Sequence, residues 1–588
     1  MNPRSRWLLP PTDPTLISAL SAALGVPRAV AQILCARGFS TTDSARSFLA
    51  PSLGNLHDPF LLRDMDRAVE RILRAIRDAE PMEIHGDYDV DGTTSTVILK
   101  RAIEMAGGTV GFQIPNRFRD GYGMHASKVE AAAASGVKLI ISVDTGIRAA
   151  AVVERARELG VDVIVTDHHL PEGVLPPALA VLNPNRTDCS YPDKGLCGVG
   201  VAFKLVQALL QSLGWPEEKL RRVLASFLKI VAIGTVADVV PLTGENRVIV
   251  RFGLTGLRDV RNPGLRALLN VADFRDGQIP SATQIAFRIA PRINAAGRME
   301  DARDVVELFL TGDETKARSL AEKLHLLNAD RQQEEATIVE EVLAACEATP
   351  VTDGHAALVF CAPSWHRGVL GIVASRLVER FHRPVFVLSE EGGVAQGSGR
   401  SISAFHLLAA MDSMPELFIK YGGHHHAAGL TMDAARVAEF RDRFNECAAR
   451  QLTSDDFCPT VEIDACLDLI DLHEGTYRDV QRLAPFGNSN PEPLFAVLNA
   501  EVAGPPTVWK DKHLKLVLRQ ERRTLFFKGF GLAHRAEELR TGMRVDVAFN
   551  LADDPWSGGW SALLRDFREA GFARSAISSP APESCEAV

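Results

Sequence analysis

The sequence predicts an α/β protein: a doubly wound parallel sheet, a long helical connection, a second α/β unit and a C-terminal β-barrel. Three observations carry that prediction. Between about residues 82 and 183, short apolar segments alternate with helical stretches, the pattern of a mostly parallel sheet. Residues 313–348 run without Pro or Gly and are rich in Ala, Leu, Glu and Lys. From about residue 460 to 570, short β-like segments follow one another at the spacing of a small barrel such as an OB-fold.

Taken in order, residues 1–55 form an N-terminal extension. MNPRSRWLLPPTDPTL carries basic residues, but prolines interrupt any apolar core, which argues against a signal peptide. Residues 56–312 hold the first α/β domain, with PMEIHG, TVGFQI, KLIISVD, VDVIVTD and ALAVLN as strands and STVILKRAIEMAGG and AAAVVERARELG as helices. Ligands of such sheets gather at the C-terminal strand ends. Residues 313–348 read as one or two long bridging helices. A second α/β unit, 349–455, is built from HAALVFCA, the helical VLGIVASRLVERF and PVFVLSE. Residues 456–572 form the barrel, and 573–588 a disordered tail.

At 588 residues the chain exceeds one hydrophobic core, and 46% apolar with 24% charged residues is ordinary globular composition. No apolar run approaches the roughly 18 residues of a membrane span. The nine cysteines are scattered without a CxxC pair, which argues against a zinc ribbon or a disulfide framework and fits a reducing cytoplasm. A net charge of −9 gives no bulk attraction to nucleic acid, so such binding must rest on local basic surfaces.

The loop HGDYDVDG places Asp87, Asp89 and Asp91 within five residues, where like charges raise one another's pKa values. An EF-hand fails, because loop position 12 would be Ile98 rather than a bidentate Glu. A solvated acidic turn capping a helix is the plainer alternative. Against it, three other apolar segments end in acids or histidines: IISVDTG with Asp144, VIVTDHH with Asp167, His168 and His169, and IGTVADVVPL with Asp238, which could equally follow a helix. Carboxylates plus imidazole suit Mn²⁺ or Mg²⁺. The spacing from His85 to Asp89 and Asp91 lets one loop serve two adjacent ions, with Asp144 as a bridge.

HGDYDVDG, VDTG, TDHH and GTVADVVPL resemble the four ordered motifs of the DHH phosphoesterase superfamily, and GGHHHAAG (422–429) is similar to the motif of its accessory DHHA1 domain. NPNRTDCSYPDKGLCGVGVAFK, APRINAAGRM and PSWHRGVLGIVASRL narrow the resemblance to the bacterial RecJ exonucleases. It implies His85, Asp89, Asp91, Asp144, His168 and Asp238 as ligands of two divalent ions. His169 would lie beside them, in a supporting or phosphate-facing place, Asp87 and Asp167 would act in support, and His424 would face the scissile phosphate. Two departures stand out: Thr145 replaces the usual Asn of VDNG, and Ser489 in PFGNSNPEP replaces a usual Gly. No catalytic weight falls on the latter segment.

Arg292, Asn294 and Arg298 of APRINAAGRM, with Ser398 and Arg400 of GSGRS, are candidate phosphate contacts; salt bridges between packed helices are the alternative for the arginines. Trp509, Lys512 and Lys515, interleaved with Phe526, Phe527 and further Lys and Arg, are candidate single-strand contacts, unless the Phe residues are core and the charges solvated. The resemblance implies a single-strand-specific 5′→3′ DNA exonuclease of repair and recombination that releases nucleoside 5′-monophosphates. It further implies a cytoplasmic monomer without membrane contact, partnered by single-stranded DNA, single-strand-binding protein and a RecQ-type helicase. A phosphodiesterase of short oligonucleotides or cyclic dinucleotides is the alternative, and a non-catalytic replication scaffold a more distant one.

Overall fold

The computed structural model describes residues 5–348, 350–352, 354–554 and 558–571; the expected disordered tail lies outside them. Five strands, β1 (Met82–Gly86), β2 (Val110–Gln113), β3 (Leu139–Val143), β4 (Asp162–Thr166) and β5 (Ala180–Leu182), form an all-parallel sheet in the order β2-β1-β3-β4-β5. Successive strand residues point to opposite faces. Ile141, Val143, Ile164 and Leu182 therefore join one core with the helices α1 (Met65–Arg77) and α2 (Val90–Met105). Ile140, Val163, Val165 and Val181 join another with α3 (Ala126–Ala134) and α4 (Ala150–Glu158). The strand order reverses between β1 and β3. In an open α/β sheet that reversal leaves a crevice at the C-terminal strand ends, and the acidic motifs lie there.

Beyond the sheet the first domain is helical. Three of its helices matter for the site: α5 (Gly198–Gln211), α6 (Glu217–Ala237) and α7 (Ala290–Met299). The connection is a single helix, α8 (Glu314–Ala348), of 35 residues, about 52 Å long at 1.5 Å per residue. Its Ala317, Ala321 and Leu324 belong to the first domain's core, and its Ile338 and Val342 to the second's. One rigid element is thus anchored at both ends.

The second unit holds β6 (Leu358–Pro363), α9 (Leu370–Phe381), β7 (Val385–Glu391), β8 (Val394–Arg400), β9 (Phe418–Gly423) and β10 (Ala427–Asp433). Its sheet runs β9-β10-β8-β7-β6, parallel between β6 and β7 and antiparallel elsewhere.

In the C-terminal domain, Phe495–Val502 pairs with both Arg544–Asp554 and His513–Gln520, which closes a five-stranded ring through Gly559–Glu569 and Arg523–Gly529. The N-terminal extension belongs to this body. Helices Pro14–Leu24, Arg28–Ala36 and Thr42–Leu49 fill the barrel's core cluster, and strand Arg6–Leu8 pairs in parallel with Thr460–Glu462. The buried Arg247 of the first domain ties the two together: its guanidinium donates to the carbonyls of Phe48 and Ala484 and lies 3.6 Å from the Phe48 ring. Among the described residues no single helix is long and apolar enough to cross a membrane. The one bent pair that passes by composition, Pro14–Leu24 with Arg28–Ala36, packs in this core.

Candidate metal centre and nucleic-acid interface

The acidic loop turns directly from β1 into α2. Asp89 caps that helix, its Oδ1 accepting from Gly92 N at 3.0 Å. Asp91, one turn in and 1% exposed, reaches across to a second helix and accepts from Gly198 N at 2.6 Å and Val199 N at 2.7 Å. Helix N-termini leave such N–H groups without intrahelical partners and favour negative charge. Asp144 follows β3 in the left-handed region, φ 58°, a conformation uncommon outside glycine. His168 follows β4 with its Nε2 at 3.2 Å from Asp144 Oδ1, 3.7 Å from Asp238 Oδ2 and 3.8 Å from Asp91 Oδ2. Asp238 caps the C-terminus of α6. Of the two placements the sequence left open for it, the helical one holds.

Burial first, and mutual repulsion second, push these carboxyls up: Asp91 to about 7, Asp238 to about 9, and Asp87 and Asp144 well above the usual range. Burial and the neighbouring His169 lower His168 to about 4, so its ring is neutral at pH 7 and can offer a lone pair. Asp87 Oδ1, Asp144 Oδ1 and Asp238 Oδ2 are buried without a hydrogen-bond partner. Orphaned carboxylate oxygens beside a neutral imidazole are a donor set for a hard divalent cation. They fall into two groups, Asp87–Asp89–Asp144 and Asp91–His168–Asp238, each with one ligand atom per residue within 4.8 Å of the others. Asp144 also groups with His168 and His169, and so stands between the two.

His85 joins none of these groups; its Nε2 lies 2.9 Å from Glu83 Oε2 on the same strand. Asp87, expected in a supporting place, falls within the first group. Asp167 is a bracket: it accepts from His168 N at 2.8 Å, His169 N at 3.1 Å, His169 Nδ1 at 2.7 Å and Ile147 N at 2.9 Å. Burial alone would raise its carboxyl, but the His169 hydrogen bond and charge hold it low. Burial in turn opposes, and that same bond supports, the charged form of His169, which ends above its ordinary value. The other ring nitrogen of His169 is 3.3 Å from Tyr122 OH. Asn183 and Asn185 donate to the carbonyls of His169 and His168 at 2.8 and 2.6 Å. Neither Asn nor Tyr122 stood out in the sequence, although NPN directly follows the end of β5.

The basic residues sort into two sets. Arg298 is half-buried and donates to Gly368 O at 3.1 Å; loss of solvent, and then Arg117, lower it to about 10. Burial and Arg117 lower Arg400 as well. Three guanidinium groups thus crowd beside the acidic loop, with Arg117 5.4 Å from the Tyr88 ring. Arg117 follows β2, and the strand-end rule alone would have flagged it. A groove of about 420 Å³ opens here, lined by Arg117, Phe118, Arg367, Ser398, Lys420 and Tyr421. His424, in the turn between β9 and β10, is exposed, and burial followed by His426 and Arg400 lowers its pKa. Asn294 braces the acidic loop instead, accepting from Val90 N at 3.2 Å. Arg292 turns elsewhere, to His325 and the carbonyls of Arg288 and Val271.

On the barrel, Trp509 packs with His513 and Phe530 at ring distances of 5.1 and 5.9 Å, and Lys515 lies 4.5 Å over the Phe526 ring. Phe526 is 54% exposed whereas Phe527 is fully buried, so Phe527 is core and Phe526 is open to solvent.

Three stretches match known domains: residues 82–235 the DHH family N-terminal domain, 353–450 the DHHA1 domain and 463–565 the RecJ OB domain. The single-stranded-DNA-specific exonuclease RecJ of Bacillus subtilis is 38% identical over 557 residues, 94% of this chain and 69% of its own length. That of Dickeya dadantii is 41% identical over 488 residues, 80% of this chain and 84% of its own. The chain belongs to the RecJ family. The structure of RecJ in complex with Mn²⁺ from Thermus thermophilus superposes with a TM-score of 0.81 at 32% identity, covering 97% of this chain and 80% of that one. A second RecJ structure from that organism, in complex with Mg²⁺, gives 0.77 at 30% identity, covering 97% of this chain and 79% of that one. The RecJ fold and the resemblance read from the motifs agree.

Proposed function

We propose that this RecJ-family chain degrades single-stranded DNA from its 5′ end, releasing nucleoside 5′-monophosphates. The observation that carries the chemistry is Asp144, a buried carboxylate set between two ligand groups. Asp87, Asp89 and Asp144 would hold one Mn²⁺ or Mg²⁺, and Asp91, His168 and Asp238 the other. Two such ions lower the pKa of a bound water and offset charge on the phosphate and leaving oxygens.

The protein's own groups do the rest. Asp91, fixed by two N–H groups of α5, keeps its oxygens aimed at the centre. Asp167 orients His169, whose Nε2, 3.3 Å from Tyr122 OH, would turn its N–H to a phosphate oxygen when the ring is protonated. Arg117, Arg298, Ser398 and Arg400 would hold the strand's phosphates, and guanidinium forks suit that task. His424, close enough to Arg400 to feel its charge, would face the scissile phosphate. Trp509 and Phe526, flanked by Lys512 and Lys515, would stack and track the incoming strand. A single-strand-binding protein, a RecQ-type helicase and a monomeric state remain parts of this proposal. The exposed aromatic and basic barrel face favours a polynucleotide over a cyclic dinucleotide.

Digestion of end-labelled single- and double-stranded oligonucleotides with Mn²⁺, Mg²⁺ or EDTA tests it. Label should leave from the 5′ end of single strands only, and only with metal. Release from the 3′ end, or equal attack on duplex, would sink the reading.

A further inference from the structure

The segment PFGNSNPEP packs against the turn that follows Asp238. Asp238 is followed by Val239, which sits at φ 59°. For a β-branched residue that conformation is strained and persists only where the surroundings impose it. Val239 is 66% exposed, so packing does not hold it there. Hydrogen bonds from the C-terminal domain do. Asn488 Nδ2 donates to Val239 O at 2.5 Å, and Asn488 O accepts from Leu242 N at 2.9 Å, so one residue brackets the turn from 239 to 242. Gly487 lies against Leu242 so closely that a Cβ there would come within 2.6 Å of Leu242 Cδ1. The loop is itself pinned: buried Asn490 donates to the carbonyls of Leu483 and Pro485 and accepts from Arg37, while Arg247 donates to Ala484 O.

We infer that Asn488 is a positioning residue for the reaction: by holding Val239 left-handed it aims Asp238 at its metal, so the C-terminal domain sets part of the metal affinity. The inference rests on the reading of Asp238 as a ligand. Groups that orient metal ligands change affinity by about 10- to 100-fold when removed. Because Asn488 acts through the backbone, the lower end, about tenfold, is expected.

The test is Mn²⁺ titration of the full-length, EDTA-stripped protein by calorimetry, which reads binding without turnover. Asn488→Ala should weaken one of two ions about tenfold and leave the other unchanged. Asn488→Asp, which keeps the size but loses the donor to Val239, should do the same and serves if the Ala variant fails to fold. Val239→Gly adopts φ 59° without strain, and in that background Asn488→Ala should have little further effect. Unchanged affinity in both Asn488 variants, or the same tenfold loss from Asn488→Ala in the Val239→Gly background, overturns the inference. Asp238→Ala separates the two levels. Two ions still bound with wild-type affinity would overturn the ligand reading itself, whereas loss of one ion there with no effect at Asn488 would overturn only the positioning role.

Discussion

Gly198→Ala tests the geometry of the centre without removing a charge. Gly198 opens α5 and gives its N–H to Asp91, and a Cβ on it would lie 2.6 Å from both Cβ and Oδ1 of Asp144. Ordinary carbon contacts lie at about 3.5–4.0 Å, so something must move by about 1 Å. Asp144 is held at φ 58° with its N–H on Thr166 O, and the backbone fixes its Cβ, so Asp144 and the start of α5 must shift apart together. Two effects on stability oppose each other. Overpacking costs about 1–3 kcal/mol, and replacing a helical Gly by Ala returns up to about 1 kcal/mol. The net cost in stability is therefore about 0–3 kcal/mol. A misplacement of about 1 Å at a reacting centre lowers turnover by about 100-fold. The assay is kcat on 5′-labelled single-stranded DNA with saturating Mn²⁺, beside a urea unfolding midpoint. Gly200→Ala is the control: its Cβ would meet only Leu196 side-chain carbons at 3.3 Å and Cys197 Sγ at 3.7 Å, and it should keep near wild-type turnover. Wild-type kcat in Gly198→Ala would refute the placement of Asp144 at the centre.

Asp89→Ala and His168→Ala should each abolish cleavage while leaving most single-strand binding, measured by fluorescence anisotropy. Trp509→Ala should weaken single-strand binding by about 5- to 150-fold, the span of 1–3 kcal/mol per stacked base, with kcat on a saturating substrate nearly unchanged. Without metal, Asp91 and Asp238 have folded pKa values above the unfolded one. The stability they give is complete below pH about 4 and is lost as pH rises through about 7 and about 9. EDTA-treated protein should therefore have a lower urea midpoint at pH 9 than at pH 6, and Mn²⁺ should restore more at pH 9, because ions displace protons. Lys204→Met leaves Glu245 buried and charged, its 2.9 Å ion pair gone. A loss of about 3–5 kcal/mol is expected, read as a lowered urea midpoint.

By itself the sequence determined the elements and the chemistry. The parallel sheet was legible because buried strands read as continuous apolar runs between helices, and the acids at strand ends were legible because the chain must put them on one edge. Local rules also explain Ser489, at φ 58° where the resemblance leads one to expect glycine, and Asp89 as a helix cap. What only the tertiary structure decided are contacts between residues far apart in the chain. It moved His85 onto Glu83 and brought Asp87 into the first ligand group, since alternation along a five-residue loop does not say which side chains turn inward. It turned Arg292 to His325 and Arg298 to Gly368 of the second domain, although they share one helix, because six residues along a helix is a rotation of about 240°. It merged the N-terminal extension with the barrel and set Asn488 behind Asp238, pairings between opposite ends of domains that lie 249 residues or more apart. Periodicity and spacing act over one or two turns. The aim of a carboxylate is fixed by whatever long-range packing places beside it.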